Sequence, residues 1–140
     1  MIESAILLDA AVVGHALGIQ SPWRKSCQNF LRLIEQGQLH AYASVEMVQE
    51  VAHHRRRRTG DRAKSVRRAR DISALCTLLT FDREILDLSV DQIERIPAIR
   101  GRDAVHAATA LAYGIERIVS LDDAFDALPG LTRIDPAEFA

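Results

Sequence analysis

The sequence predicts an α/β fold built on a mainly parallel sheet of about four or five strands. Short apolar segments without polar alternation recur along the chain, as is typical of strands that are buried on both faces. Stretches with apolar residues three or four positions apart separate them and predict amphipathic helices. This alternation over 140 residues favours parallel strands joined by crossover helices, and we expect residues 1–140 to form a single domain.

The first third of the chain begins with a predicted strand over residues 4–9. Gly14 and Gly18 then predict irregular backbone. A helix is expected over residues 23–36, where apolar side chains recur at helical spacing, and Gly37 is suited to its C-terminal cap. These elements form the first strand-to-helix unit of the fold.

The middle of the chain predicts a second strand over residues 39–43. Ser44 is suited to the N-cap of the helix that follows it. That helix either runs on through Thr59 and Gly60 or breaks there, because the helical period continues over residues 62–79. The sequence leaves both possibilities open.

The last third predicts a strand over residues 76–81 and a helix over residues 82–96. A second helix is expected to open at Asp103 and to end near Gly114. Two further strands are predicted over residues 116–121 and 131–134. The order of the elements therefore remains alternating to the end of the chain.

The charge of the chain is distributed unevenly. Residues 55–70 contain eight arginines and one lysine against one aspartate, a net charge of +8, whereas the remainder has nine cations and 18 acids, a net charge of -9. Arginine binds phosphate through paired hydrogen bonds. We therefore predict that this stretch binds a nucleic-acid backbone. The residues predicted to contact the phosphates are Arg55, Arg56, Arg57, Arg58 and Arg62. A solvated helical face is the alternative interpretation.

Cysteine use and hydropathy indicate where the protein is found. Cys27 and Cys76 are too few for a disulfide framework and too far apart for a zinc motif, which favours a reduced, cytoplasmic setting. Glu3 and Asp9 make the apolar N-terminus a poor signal peptide, and no stretch is long enough to span a membrane. We expect no membrane association.

Four acids lie at or near the polar ends of apolar segments. Asp9 and Asp122 follow predicted strands, Glu50 lies two turns into the helix after Ser44, and Asp103 opens a helix. Ligands of parallel sheets bind beyond the carboxyl ends of the strands, so these acids can meet at one edge. Gathered carboxylates raise one another's pKa, and a hard cation such as Mg²⁺ or Mn²⁺ relieves their repulsion. The pattern favours a metal-dependent phosphodiesterase.

Each acid also has a plainer interpretation. Asp9 and Asp103 could cap a turn or a helix, since a carboxylate is favourable at a helix N-terminus. Glu46 lies one turn before Glu50 on the same helical face. Asp123 and Asp126 compete with Asp122 for the last position, and His106 is more typical of a packed histidine than of a general base.

Three segments resemble PIN-domain nucleases, and more narrowly the VapC toxins of VapBC toxin–antitoxin pairs. They are residues 7–9 with the valines that follow, residues 44–51, and residues 102–126, which the sequence at 129–131 completes. Their order and spacing match over nearly the full length of the chain. The resemblance implies a PIN-like three-layer fold in which helices flank the central sheet.

The resemblance also implies which residues act. The metal-binding acids of the family fall on Asp9, Glu50, Asp103 and Asp122, and Ser120 takes the place of a serine or threonine near the metal. Glu46 and Asp126 are candidates for a supporting role around these ligands. The chain departs from the family at Ala10 and Ala11, where a polar pair is usual, and we expect this loss to weaken hydrogen bonding around Asp9.

The function that the resemblance implies is Mg²⁺- or Mn²⁺-dependent cleavage of single-stranded RNA by an activated water. The products would have a 3′-hydroxyl and a 5′-phosphate. A homodimer and a VapB-like antitoxin partner are implied as well. Because Ala10 and Ala11 depart from the family pattern, a non-catalytic PIN-like RNA-binding or regulatory protein is the alternative.

Overall fold

The computed structural model describes residues 5–18 and 20–139, with the backbone alone for residues 55–59. Within these residues the strands are β1 (Ala5–Leu8), β2 (His40–Ser44), β3 (Thr77–Leu79), β4 (Arg117–Val119) and β5 (Thr132–Ile134). They form one sheet in the order β3-β2-β1-β4-β5, and every neighbouring pair is parallel. The predicted α/β fold with a parallel sheet is confirmed.

The strands are joined by helices over the same described residues. The α-helices are α1 (Ala10–Leu17), α2 (Arg24–Glu35), α3 (Val45–Thr59), α4 (Arg62–Leu75), α5 (Arg83–Arg95) and α6 (Gly101–Ala112). Two short 3₁₀ helices, Asp123–Ala127 and Pro136–Phe139, lie near the C-terminus. None of the helices in the described part of the chain has the length and apolar character needed to cross a membrane.

The prediction of irregular backbone at Gly14 is wrong, because Gly14 lies inside α1. A glycine inside a helix costs about 1 kcal/mol relative to alanine. The apolar face of α1 offsets that cost, since Val12 and Val13 are completely buried and Ala16 nearly so. Tertiary packing therefore determines the structure here and overrides the local propensity.

The long basic segment breaks into two helices, which settles the alternative that the sequence left open. Gly60 has a φ of +67°, in the left-handed region that favours glycine, and so ends α3. The carboxylate of Asp61 then accepts a hydrogen bond from the backbone N–H of Lys64 at 3.0 Å and caps α4. The Ser65 hydroxyl donates to the carbonyl of Ala52 at 3.2 Å and links the two helices.

The core has one cluster on each face of the sheet. Ile6 and Leu8 of β1 pack with buried residues of α1 to α4, such as Phe30. Leu7, on the opposite face, packs with α6 and with Phe125. The alternation of side chains along β1 thus separates the two helical layers and produces the expected three-layer arrangement.

Candidate active site

The candidate site lies at the carboxyl ends of the two central strands. Asp9 directly follows β1, and Ser120 directly follows β4. The backbone N–H of Asp9 donates to the carbonyl of Val119 at 3.2 Å, which continues the pairing of the two strands by one residue. Asp9 is only 4% exposed, although an aspartate side chain is normally ionised at neutral pH and therefore prefers water. A carboxylate buried at this edge requires polar partners.

Ser120 supplies the first of these partners. Its hydroxyl donates to Oδ2 of Asp9 at 2.7 Å, and its oxygen accepts from the backbone N–H of Asp122 at 3.0 Å. Asp9 makes no side-chain capping hydrogen bond to α1, so the capping interpretation of this acid is not what the structure shows.

His106 of α6 lies between two of the predicted acids. Its Nε2 is 3.3 Å from Oε1 of Glu50 and 3.9 Å from Oδ1 of Asp9. The expectation of a packed histidine is correct in that His106 is 1% exposed. Its hydrogen bond to Glu50 was not anticipated. Nε2 faces both carboxylates and is the nitrogen suited to donate to them, whereas Nδ1 has no hydrogen-bond partner within the described structure.

Asp103 lies in the first turn of α6 and not at its start. The helix begins at Gly101 with Arg100 as its N-cap, so the prediction that Asp103 opens or caps the helix is wrong. At this position the carboxylate is near the positive end of the helix dipole. It also shares a hydrogen bond with Asp122, which joins the end of β4 to α6.

The acids perturb one another strongly. Burial raises the pKa of Asp103 to about 7, and the hydrogen bond to Asp122 and the charges of Asp9 and Asp122 add to this effect. Burial also raises the pKa of Asp9, although His106 and Ser120 oppose it. For His106, burial favours the neutral form, but the hydrogen bond to Glu50 and the charge of Asp9 outweigh it and raise the pKa. Such shifts are typical of functional sites.

The structure thus brings together the four acids that the sequence analysis singled out, and it separates their competitors. Glu50 is hydrogen-bonded to His106, and Glu46 lines the same neighbouring cavity as Glu50 but is not among the described contacts of His106 or Asp9. Asp122 contacts Asp103, whereas Asp126 forms an ion pair with Arg133 at 3.0 Å. The roles of these residues in catalysis remain predictions.

Two residues of this site were missed or undervalued by sequence reasoning. Arg133 in β5 donates to the carbonyl of Ser120 at 3.2 Å and to both oxygens of Asp126. No pattern in the sequence links positions 120, 126 and 133. His106, by contrast, stands one helical turn after Asp103, and that spacing could have placed it beside the acids.

Of the five arginines predicted to bind the RNA backbone, only Arg62 has a side chain that the structure describes. Arg62 lies in the first turn of α4 and is exposed. The side chains of Arg55, Arg56, Arg57 and Arg58 lie outside the described part of the structure. Their backbone forms the last turns of α3, and a hydrogen bond between Ser65 and Ala52 links α3 to α4. Residues 45–75 thus form a helical hairpin, the basic hairpin, with the basic stretch at its turn.

The chemistry of the side chains in the acidic cluster shows whether they suit a divalent cation. Among the described side chains, no group of three or more histidine, cysteine, aspartate or glutamate residues is arranged to hold a metal ion. Burial, the hydrogen bond to Asp122 and the charges of Asp9 and Asp122 raise the pKa of Asp103, and a cation bound beside it would lower that pKa. Carboxylate oxygens are the preferred ligands of Mg²⁺ and Mn²⁺. The chemistry of the four acids suits such an ion, although the described structure does not group three of them as ligands.

The fold and the site define an α/β protein with an acidic centre at the carboxyl edge of a parallel sheet. Residues 6–131 match the family model of the PIN domain. The chain therefore belongs to the PIN-domain family.

Known proteins of this family resemble the chain over nearly its full length. Ribonuclease VapC7 of Mycobacterium tuberculosis is 30% identical over 134 residues, which are 94% of this chain and 91% of that protein. Ribonuclease VapC13 of the same organism is 27% identical over 131 residues, 92% of this chain and 98% of that protein. A toxin–antitoxin complex from Klebsiella pneumoniae has a chain of the same fold, with a TM-score of 0.68 and 16% identity over 94% of this chain and 97% of that one.

Proposed function

We propose that this protein is a Mg²⁺- or Mn²⁺-dependent endoribonuclease and the toxin of a type II toxin–antitoxin pair. The observation that supports this most directly is the meeting of Asp9, Glu50, Asp103 and Asp122 at one edge of the sheet. The relatives named ribonucleases support the nuclease class. The proposed reaction is hydrolysis of single-stranded RNA, leaving a 3′-hydroxyl and a 5′-phosphate.

Asp9, Glu50, Asp103 and Asp122 would hold the cation. When bound, a divalent ion of this kind supplies Lewis acidity for the attack of water on a phosphodiester. The other residues hold the ligands in place. Ser120 fixes one oxygen of Asp9 at 2.7 Å, and His106 restrains Glu50 at 3.3 Å. Such partners of metal ligands typically contribute 10- to 100-fold in metal affinity or activity.

Arg102 places a positive charge at the rim of the cluster. Its guanidinium is 3.9 Å from Oε2 of Glu50, and its side chain is 71% exposed. An exposed ion pair of this kind adds little stability. The charge is therefore available to attract the RNA backbone towards the acids, together with Arg62 and the arginines at 55–58 of the basic hairpin.

The test is the substitution Asp103→Asn, which removes a charge with almost no change of shape. We expect Mn²⁺-dependent cleavage of a single-stranded RNA to fall by about 100-fold or more. Asp91→Asn is the matched control, because Asp91 is exposed on α5, outside the cluster. Undiminished cleavage by Asp103→Asn would refute the site. Wild-type protein that retains RNA but never cleaves it with either metal would favour the non-catalytic alternative.

We also infer a VapB-like antitoxin partner, a homodimer and a cytoplasmic setting. The similarity to a chain of a toxin–antitoxin complex supports the partner. Cys27 and Cys76 are both buried free thiols, which suits a reducing compartment. Co-purification with the product of a neighbouring small gene tests the partner, and the mass in solution by light scattering tests the dimer. A protein that remains monomeric at micromolar concentration would exclude the dimer.

A further inference from the structure

A polar cavity of about 290 Å³ lies between α3 and α6, next to the acidic cluster. Glu50 and His106 form part of its wall, so the cavity opens directly beside the candidate site. The complete lining is Glu46, Gln49, Glu50, His53, Arg102, Val105 and His106. Its volume is at the small end for ligand sites and suits one nucleoside better than a larger group.

The two helices line the cavity with different chemistry. From α3 come Glu46, Gln49 and His53, which share one helical face. From α6 comes Val105, a half-buried apolar surface against which a planar ring can pack. Arg102, also from α6, is a cation suited to a phosphate. A nucleotide site needs polar groups that hydrogen-bond the base edge, a flat apolar contact for the ring and a cation for the phosphate.

Glu46 determines which base the cavity prefers. Its side chain lines the cavity at a half-buried position, and a carboxylate accepts hydrogen bonds from the N–H groups of a ligand. Guanine presents two adjacent N–H donors on its Watson–Crick edge. Uracil presents a single N–H between two carbonyls, which would repel a carboxylate. Gln49 can both donate and accept, and so can satisfy the remaining carbonyl of guanine.

We propose that this cavity is a base-binding subsite for a guanine nucleotide of the RNA chain, adjacent to the phosphate at the acidic cluster. The proposal rests on the proposed ribonuclease function and extends it to substrate selection. Glu46 and Gln49 read the base edge, Val105 packs against the ring, and Arg102 contacts a phosphate without regard to sequence. The competing occupant is a basic side chain of a protein partner. The positive charge of Arg102 in the cavity wall would not favour such a side chain.

The experiment measures binding in place of cleavage. In the Asp103→Asn background with Mg²⁺ present, fluorescence anisotropy compares the affinity for oligouridine octamers that contain one central guanine, adenine or cytosine, or none. We expect the guanine octamer to bind about tenfold tighter than the all-uridine one. Adding Glu46→Gln should reduce that ratio to about twofold, whereas adding Glu35→Gln, on exposed Glu35 at the end of α2, should leave it unchanged.

Further variants separate the contributions and guard against misfolding. Gln49→Ala, at an exposed position, should also lower the guanine preference, whereas Arg102→Gln should weaken binding of all four octamers alike. Equal affinity for the four octamers, or a preference that Glu46→Gln and Gln49→Ala both leave intact, would overturn the subsite. Guanine-selective binding by a wild-type protein that does not cleave RNA would support the subsite and refute the nuclease.

Discussion

The hydroxyl of Ser120 lies 2.7 Å from Oδ2 of Asp9, although 111 positions separate the two residues in the chain. Both side chains are buried, and both follow central strands of the sheet. The parallel pairing of β1 with β4 brings them together, because Leu8 is in register with Val119. The contact is therefore a direct consequence of the sheet topology, and it fixes the orientation of the most buried acid of the site.

Replacing this serine tests how much the contact contributes. Ser120→Ala removes the donor and leaves a buried carboxylate oxygen without its hydrogen bond, which costs about 1–3 kcal/mol. We expect the free energy of unfolding in urea to fall by that amount in EDTA. Ser26→Ala, at a half-buried position on α2, should cost less than about 0.5 kcal/mol. Equal stability of the two variants would show that the Ser120 contact is not a stabilising one.

Arg133 supports the same serine from the other side. It donates to the carbonyl of Ser120 at 3.2 Å and holds both oxygens of Asp126, at 3.0 and 3.2 Å. Its side chain is 19% exposed but that of Asp126 is 54% exposed, so solvent screens the pair. A double-mutant cycle of Arg133→Gln and Asp126→Asn should give a coupling of about 0.5–1 kcal/mol. A coupling of zero would mean that Arg133 acts through Ser120 alone.

Much of the acidic site could be predicted from the sequence, because it depends on strand ends. Asp9 and Asp122 follow apolar segments, and parallel strands bring their carboxyl ends to one edge. The α/β fold followed from the same alternation of elements. These predictions needed only local patterns and one rule of topology.

Other features depend on tertiary structure and left no local signal. Gly14 was predicted to be irregular because its propensity opposes a helix, yet the burial of Val12 and Val13 imposes one. Arg133 reaches Ser120 through the neighbouring strand β5, and its pairing could not be known before the strand order. The family resemblance already favoured Asp122 over Asp126, but the ion pair between Asp126 and Arg133 could not be known from the sequence.

The stability of the metal-free protein should depend on pH in a defined direction. The pKa of Asp103 is raised from 3.8 to about 7, and those of Asp9 and His106 are also raised. Between pH 4 and 7 the folded protein then binds more protons than the unfolded chain. Stability from the two aspartates is complete below about pH 4, and that from Asp103 is lost as the pH rises through about 7. Stability from His106 is complete below about pH 6.5 and is lost above it.

Thermal unfolding in EDTA should therefore show a lower Tm at pH 8 than at pH 5.5, and Mg²⁺ should raise the Tm at pH 8 more than at pH 5.5. Asp103→Asn, which cannot ionise at this position, should reduce the pH dependence. Asp91→Asn, the exposed control on α5, should retain it. A Tm in EDTA that increases between pH 5.5 and 8 would contradict the raised pKa values.

The basic hairpin should bind phosphate without reading sequence. For single-stranded nucleic acid, each phosphate contact contributes about 0.7 to the slope of log affinity against log salt concentration. Arg62→Gln should lower that slope by about 0.7 and weaken the binding of unrelated RNAs alike. Replacing Arg55 to Arg58 together should flatten the slope further.

Arg83→Gln is the matched control, since the side chain of Arg83 is 91% exposed on α5, and it should leave the slope unchanged. If Arg62→Gln and the fourfold variant both retain the wild-type slope, the arginine-rich end of the hairpin is a solvated surface and the RNA backbone is bound elsewhere.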